Sequence, residues 1–180
     1  MKAPANEKGF TLIEAMVAMV VLAIGILGVV VMQTRAVNSN ASAYSRTGAT
    51  GVGISVMETL QSLPSADASL IQTHAVAGLL PNTVTAAMAD PNVRRMNAAT
   101  LATMPTLNNV YRIVGTVADP LVTPIVGAGG AASARAISYR IGWAVVDNAA
   151  TNSKTIRVYQ GWTTPMGSGT SQVTTIKYNK

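Results

Sequence analysis

The order of hydrophobic and polar positions divides the chain into segments with different periodicities. Residues 15–32 are apolar without interruption, and about 18 such residues form about 27 Å of helix, close to the hydrocarbon thickness of a bilayer. After Met32, apolar residues recur every three to four positions as far as Leu63, which predicts an amphipathic helix. In the last third of the chain the period falls to two, which predicts strands.

The first two segments together predict one long helix from Thr11 to Leu63, ended by Pro64. We expect its first half to span a membrane and its second half to lie on a domain. The predicted contact stripe consists of Val37, Ala41, Tyr44, Gly48, Val52, Val56, Leu60 and Leu63. A further prediction is a bend or break in the helix, because three glycines interrupt this part of it: Gly48, Gly51 and Gly53.

The secondary structure of residues 65–109 is harder to predict, because prolines interrupt this part of the chain. Two stretches within it, 68–80 and 90–104, have the composition of short helices. The alternating segments that follow predict four strands, with a flexible loop at 120–134 and shorter loops near 147–153 and 164–170. The strands are expected at 109–117, 136–146, 154–164 and 171–178.

The alternation also predicts which strand residues face the core. In the second strand these are Ile137, Tyr139, Ile141, Trp143 and Val145; in the third they are Ile156, Val158 and Trp162, with Arg157 and Tyr159 facing outward. Short connections favour antiparallel pairing, and the amphipathic half-helix is the available cover for the sheet. The predicted fold class is therefore α+β, a long N-terminal helix packed on an antiparallel sheet of about four strands.

Glu14 stands at the start of the apolar run and is its one anomaly. A carboxylate within a membrane is costly, so such residues usually have a partner or a function. A glutamate near the end of the helix can also extend to the lipid headgroups, and its position alone does not decide between these two interpretations.

The residues before the run do not have the order of a cleaved secretory signal. The short polar segment "MKAPANEKG" precedes the run, and no signal-peptidase site follows Met32, which leaves an uncleaved signal anchor as the simple alternative. Lys2 and Lys8 lie before the run and Arg35 after it. This slight bias places the N-terminus in the cytoplasm and the C-terminal domain outside.

The stretch "KGFTLIEAMVAMVVLAIGILG" resembles the N-terminal segment of type IV pilins and pseudopilins. The resemblance implies cleavage between Gly9 and Phe10 by prepilin peptidase, a membrane aspartyl protease, and methylation of the new amine at Phe10. It also implies that Glu14 acts in subunit assembly, where it neutralises the Phe10 amine of a neighbouring subunit. A buried charge pair of this kind would fix the register between subunits.

Two later stretches, "YRIGWAV" and "KTIRVYQGW", together with "VTTI", resemble the PilV-like minor pilins. The chain departs from the wider family in two respects. Val31 stands near the position where many pilins have proline, and the absence of cysteine excludes the C-terminal disulfide that many of them carry.

The resemblance implies an organisation into four segments: a cleaved leader at 1–9, a membrane and filament-core helix at 10–33, an amphipathic helix at 34–64, and a globular domain at 65–180. The implied function is that of a minor pilin in a type IV pilus, in a priming or tip complex. Its implied partners are prepilin peptidase, other minor and major pilins, the inner-membrane assembly platform, and lipid before assembly. The alternatives are a minor pseudopilin of a type II secretion system and a DNA-uptake pilin.

Composition and charge limit the activities and ligands that the chain is expected to have. The net charge is +6, but the basic residues are dispersed, which does not favour nucleic acid as a partner. His74 is the only histidine, the acidic residues are far apart, and no nucleotide loop or catalytic motif occurs. We therefore expect no enzyme activity, no metal and no cofactor, and we expect Trp143 and Trp162 to lie in the core.

Overall fold

A computed structural model describes residues 11–117, 119–125, 137–164 and 167–179. The dominant element is helix α1 (Leu12–Ser62), which confirms the predicted long helix and ends just before Pro64. In the part of the chain that the structure describes, three short α-helices follow it: α2 (Val84–Ala89), α3 (Ala98–Ala102) and α4 (Pro105–Asn108). Between α1 and α2 lie two single turns of 3-10 helix, Ala68–Leu70 and Ala77–Leu79.

Within the described residues, six strands form one antiparallel sheet, more than the four that the alternation predicts. They are β1 (Arg94–Arg95), β2 (Tyr111–Gly115), β3 (Pro120–Pro124), β4 (Tyr139–Asn148), β5 (Ser153–Thr164) and β6 (Gly167–Tyr178). The order across the sheet is β2-β3-β4-β5-β6, and β1 pairs with β4 through Arg94↔Trp143 and Arg95↔Gly142. The predicted α+β class, with a long helix and an antiparallel sheet, is confirmed.

The chain divides into two compact units, residues 1–41 and 42–180, and α1 contributes to both. In the first unit, every described residue from Thr11 to Asn40 is exposed except Ala15, which is half-buried. This part of α1 is long and apolar enough to cross a membrane. A helix that is apolar on all sides is stable when lipid or other helices surround it.

In the second unit, the principal core lies between α1 and one face of the sheet. The helix contributes Ala49, Val52, Val56, Met57 and Leu60, which are almost completely buried. The sheet contributes Tyr139, Ile141, Trp143, Val145, Ile156, Val158 and Trp162, as the alternation predicts. Trp143 is fully buried, and its indole N–H donates a 2.9 Å hydrogen bond to the Ser69 carbonyl oxygen. The prediction that both tryptophans lie in the core is confirmed.

The opposite face of β4 and β5 is also buried, which corrects the prediction that Tyr159 faces outward. Ala144, Val146 and Tyr159 pack beneath a second cluster formed by Leu80, Val84, Ala87 and Val93. The Tyr159 hydroxyl donates a 2.9 Å hydrogen bond to the Pro81 carbonyl oxygen. Burial raises the pKa of Tyr159, and the nearby Arg157 opposes that rise. Segment 80–93 thus covers a face that the sequence pattern assigned to solvent.

Helix α1 is continuous through its three central glycines, so of the predicted bend or break, the break is wrong and the bend stays a prediction. Gly48 and Gly53 instead allow the sheet to approach the helix closely: a methyl group at Gly48 would collide with the Tyr139 hydroxyl, and one at Gly53 would collide with the Gln160 carboxamide. Gly51 lies on the exposed side, with no described atom within 4 Å of the place where a methyl group would stand. Two of the three glycines are therefore packing residues.

Several boundaries differ from the predictions. The helix stripe passes through Ser45 and Ala49, whereas Tyr44 and Val37 are exposed. Residues 120–124 of the predicted loop form β3, and the rest of that loop, 126–136, lies outside the described residues. Strand β6 begins at Gly167, four residues before the predicted start, because hairpin pairing with β5 extends into a Gly/Ser/Thr segment of low strand propensity. Of the two predicted short helices, 68–80 holds only 3-10 turns, while 90–104 contains α3.

The glycine contacts lead to opposite expectations for two substitutions in one helix. We expect Gly51→Ala to raise the free energy of unfolding by about 0.5–1 kcal/mol, because alanine restricts the unfolded chain more than glycine does. We expect Gly53→Ala to lower it by about 1–3 kcal/mol through collision with the fully buried Gln160. Urea unfolding of the solubilised protein, followed by the fluorescence of Trp143 and Trp162, measures both.

The control is Gly53→Ala combined with Gln160→Ala, which removes the side chain that the new methyl group meets. The cost of Gly53→Ala should largely disappear in that background. Equal effects of the two alanine substitutions in the wild-type background would show that close approach of the sheet does not explain Gly53.

Candidate functional site at the start of the long helix

The first turn of α1 contains a reciprocal pair formed by Thr11 and Glu14. The Thr11 hydroxyl and the Thr11 backbone N–H both donate to Glu14 Oε2, at 2.9 and 3.2 Å. In return, the Glu14 N–H donates to Thr11 Oγ1 at 3.3 Å. This arrangement is a capping box, in which two side chains satisfy backbone groups that a helix start leaves unpaired.

The same carboxylate keeps part of its hydrogen-bonding capacity. Both described bonds to the Glu14 side chain end on Oε2, and Oε1 has no hydrogen-bond partner among the described residues. Glu14 is exposed, and Ile13, Val17 and Ala18 lie beside it as apolar neighbours. The site therefore combines an accessible carboxylate oxygen with an apolar surface.

The predicted site residues are only partly visible. Glu14 lies in the first turn of α1, whereas Gly9 and Phe10, the predicted cleavage site, lie outside the described residues. Thr11 was missed as a functional residue. The signal was present, because a threonine three residues before a glutamate and ahead of an apolar run is the sequence signature of a capping box.

A second polar cluster surrounds His74 in the second unit. His74 is 8% exposed, its Nε2 lies 3.0 Å from Asp90 Oδ2, and its Nδ1 lies 2.8 Å from Thr73 Oγ1. The Thr73 hydroxyl oxygen also accepts a 2.8 Å hydrogen bond from the Val145 N–H, and the Thr73 N–H donates to the Val145 carbonyl at 2.8 Å. His74 thus joins the segment before α2, the end of α2 and strand β4.

The geometry around His74 fits a structural role better than a chemical one. The Thr73 hydroxyl is held by the backbone of β4, and Asp90 lies at the end of α2, where its other oxygen accepts a 2.8 Å hydrogen bond from the Asn92 N–H. Within the described part of the chain, no group of three or more histidine, cysteine, aspartate or glutamate side chains could hold a metal ion.

Comparison with known proteins gives a match on the N-terminal site. Residues 4–30 match the family model described as the prokaryotic N-terminal methylation motif. The match covers the residues on either side of Gly9 and Phe10, the capping box and most of the apolar run. No curated protein and no solved structure shows a significant match to the chain. The chain thus carries a prepilin-type N-terminus, which fits anchoring in a membrane before assembly.

The hydrogen bond from His74, followed by that from the Asn92 amide, lowers the pKa of Asp90 from its ordinary value of 3.8. A lowered pKa stabilises the fold above the unfolded value, and this stability is lost as the pH falls through the folded value. We therefore expect the free energy of unfolding to decrease below about pH 4. We expect Asp90→Asn to weaken this dependence, because asparagine does not titrate.

Urea unfolding at a series of pH values between 2 and 5 measures how steeply the free energy of unfolding changes with pH. The matched control is Asp119→Asn, because the Arg140 guanidinium lowers the pKa of Asp119 at a separate site. Each single variant should remove part of the acid dependence, and the double variant should remove more than either. An unchanged slope in Asp90→Asn would mean that the His74 pair does not couple folding to protons.

Proposed function

We propose that this chain is a minor pilin, a structural subunit that enters a type IV pilus in a priming or tip complex. The observation that carries the proposal is the combination at the N-terminus. A prepilin-type methylation motif at residues 4–30 opens a helix whose apolar side chains are exposed on every side. Such a surface needs lipid or neighbouring helices, and a filament subunit meets both in turn.

In this proposal prepilin peptidase cuts between Gly9 and Phe10 and methylates the new amine at Phe10. Before cleavage residues 1–9 form a polar leader, and afterwards residues 10–33 form the helix that moves from lipid into the filament core. Residues 34–64 continue that helix, and residues 65–180 form the exported domain. The N-terminus lies on the cytoplasmic side of the inner membrane, and the domain reaches the cell surface when the subunit is assembled.

Glu14 has a distinct partner at each stage of the proposed path. In the free subunit its carboxylate accepts two bonds from Thr11, so the helix start is satisfied within the chain. In the filament its Oε1, which has no described partner, accepts from the Phe10 amine of a neighbouring subunit. The charge pair then forms without dismantling the capping box, and the two charges leave water together.

The partners follow from this path. Lipid surrounds the apolar run first, and prepilin peptidase and the inner-membrane assembly platform act on the chain there. Other minor and major pilins then replace lipid as the apolar environment. The small residues Gly25 and Gly28 support this step, because small residues let helices approach closely in lipid. Apart from the backbone of the helix itself, no described atom lies within 4 Å of the place where a methyl group on either glycine would stand.

The first prediction of this proposal concerns processing. In a host with an active prepilin peptidase, the mature protein should lack residues 1–9 and carry one added methyl group on Phe10. Intact-mass measurement of the purified membrane protein tests both points. Gly9→Ala should be cut more readily than Gly9→Leu, because a subsite beside the cut accepts small residues. Retention of Met1 to Gly9 in the wild-type protein would contradict the proposal.

The second prediction separates the charge of Glu14 from its role in the helix start. Glu14→Gln keeps an acceptor for the Thr11 bonds and loses the charge, so its recovery in sheared surface filaments should fall by about a hundredfold or more. Thr11→Val loses the hydroxyl bonds and keeps the charge, so it should be recovered at close to the wild-type level.

Both variants are compared at equal membrane abundance and with cleavage verified by mass. Equal recovery of Glu14→Gln and the wild-type protein would mean that Glu14 serves the helix start and the lipid headgroups, without a charge pair between subunits. Loss of Thr11→Val alone would assign the assembly defect to helix capping.

A further inference from the structure

Strand β6 forms one edge of the sheet, and its pairing with β5 shows which backbone groups remain open. The register is continuous over twelve residue pairs, from Ser153↔Tyr178 to Thr164↔Gly167, without a bulge. Just beyond it, the Asn179 N–H donates a 3.0 Å hydrogen bond to the Asn152 carbonyl oxygen. Bonded and non-bonded pairs alternate in an antiparallel ladder. Six residues therefore direct their N–H and C=O groups away from β5: Ser168, Thr170, Gln172, Thr174, Ile176 and Tyr178.

All six of these residues are exposed, and no described strand pairs with them. Proteins usually protect such an edge with proline, with several charges, with a bulge or by keeping the strand short. Strand β6 has twelve residues, no proline and a single charged residue, Lys177, near its end. Its outer edge thus has the length and regularity that strand addition requires.

One face of β6, which carries the side chains of Thr175 and Lys177, is bound to the end of α1. Thr175 accepts a hydrogen bond from the Gln61 side chain, and Lys177 Nζ donates to the Gln61 carbonyl oxygen at the end of α1. On the opposite side of the strand, Ile176 and Tyr178 are 53% and 67% exposed. An incoming strand would meet a rigid edge with two large apolar side chains beside it.

The charged side chains of strands β5 and β6 are all basic. Strands β5 and β6 contain Lys154, Arg157 and Lys177 and no acidic residue. Asp147 neutralises Lys154 at 2.6 Å. Arg157 donates to the Thr174 hydroxyl and the Pro81 carbonyl, and Lys177 to a carbonyl, so their described partners are all neutral oxygens. Two cations thus remain without a described counter-charge, which favours a ligand with carboxylates and disfavours a second basic chain.

We propose that the outer edge of β6 binds an extended acidic segment of another exported protein, which adds to the sheet as a seventh strand. Backbone hydrogen bonds from the six outward-facing residues supply the pairing. Arg157 and Lys177 select carboxylates, and Ile176 and Tyr178 contact apolar side chains of the segment. That this partner is an exported protein rests on the proposed function.

The test uses the full-length protein in lipid nanodiscs and three synthetic peptides. Each peptide is a twelve-residue alternation of threonine and valine, with three of the threonines replaced by glutamate, by glutamine or by lysine. We expect the glutamate peptide to bind at least about tenfold more tightly than the lysine peptide at low salt, with the difference falling as salt rises. A glutamate peptide in which every backbone amide is N-methylated should not bind, because neither of its edges can then donate to the sheet.

Amide exchange at single-residue resolution provides a readout that does not depend on a variant. In the free protein, the amides of Gln172, Thr174 and Ile176 should exchange much faster than those of Val173 and Thr175. Bound glutamate peptide should slow the even-numbered amides and leave the odd-numbered ones unchanged. Protection of other regions of the chain, or binding of all three peptides with equal affinity, would overturn the proposal.

The matched variants are Gln172→Pro and Gln172→Thr. Proline removes an outward N–H and leaves the pairing with β5 intact, a position where edge strands accept it, whereas threonine keeps the N–H. We expect Gln172→Pro to weaken peptide binding by at least about tenfold, and Gln172→Thr to bind as the wild-type protein does. Undiminished binding to Gln172→Pro would overturn the proposal, as would self-association of the wild-type protein that this substitution abolishes, since the occupant would then be a second copy.

Discussion

The contact between residues 49–60 of α1 and the inner face of β4 and β5 is the interaction on which the domain depends. It buries the largest side chains of the core, including Trp143 and Leu60, and it requires the helix and the sheet to approach each other at Gly48 and Gly53. Leu70, Met96 and Met104, from the segments that follow the helix, complete the same cluster. The same helix continues from Leu12 without a break, so one run of backbone hydrogen bonds serves both the apolar segment and the domain core.

The sequence predicts the elements that have a strong hydrophobic period and that pack against few other segments of the chain. The bounds of the helix follow from its period and from Pro64. The inward residues of β4 and the core positions of both tryptophans follow from the alternation. The second buried face did not follow, because Gly142, Ala144 and Val146 alternate with residues that are themselves apolar. The cover for that face, residues 80–93, is a proline-punctuated segment with no clear period. Alternation of apolar and polar residues identifies one buried face of a strand. When a segment distant in sequence and without a regular period covers the other face, no local pattern in the sequence indicates it.

In the candidate site, too, the sequence predicts contacts between neighbouring residues and misses contacts between residues far apart in the chain. Glu14 was identified from its sequence context, and Thr11 was identifiable from the spacing of a capping box. The pairing of His74 with Asp90 joins residues sixteen positions apart across a turn and a short helix, and no spacing rule connects them. The family match is also confined to residues 4–30. A helix in lipid tolerates a narrow set of residues, whereas a sheet core needs only apolar side chains of suitable volume, which many sequences supply.

The distance in sequence between α1 and its cover has a consequence for biosynthesis. The stripe from Ala49 to Leu60 is complete once residue 60 has been made, but its partners on β4 and β5 follow only at residues 139–164. During synthesis these apolar side chains are therefore exposed before β4 and β5 exist, at the stage when nascent chains are most prone to aggregation and to binding by chaperones. Strand β6, which follows β5 in the sequence, supplies the Lys177 contact to the end of α1, so the end of the helix gains this contact only after residue 177 has been made.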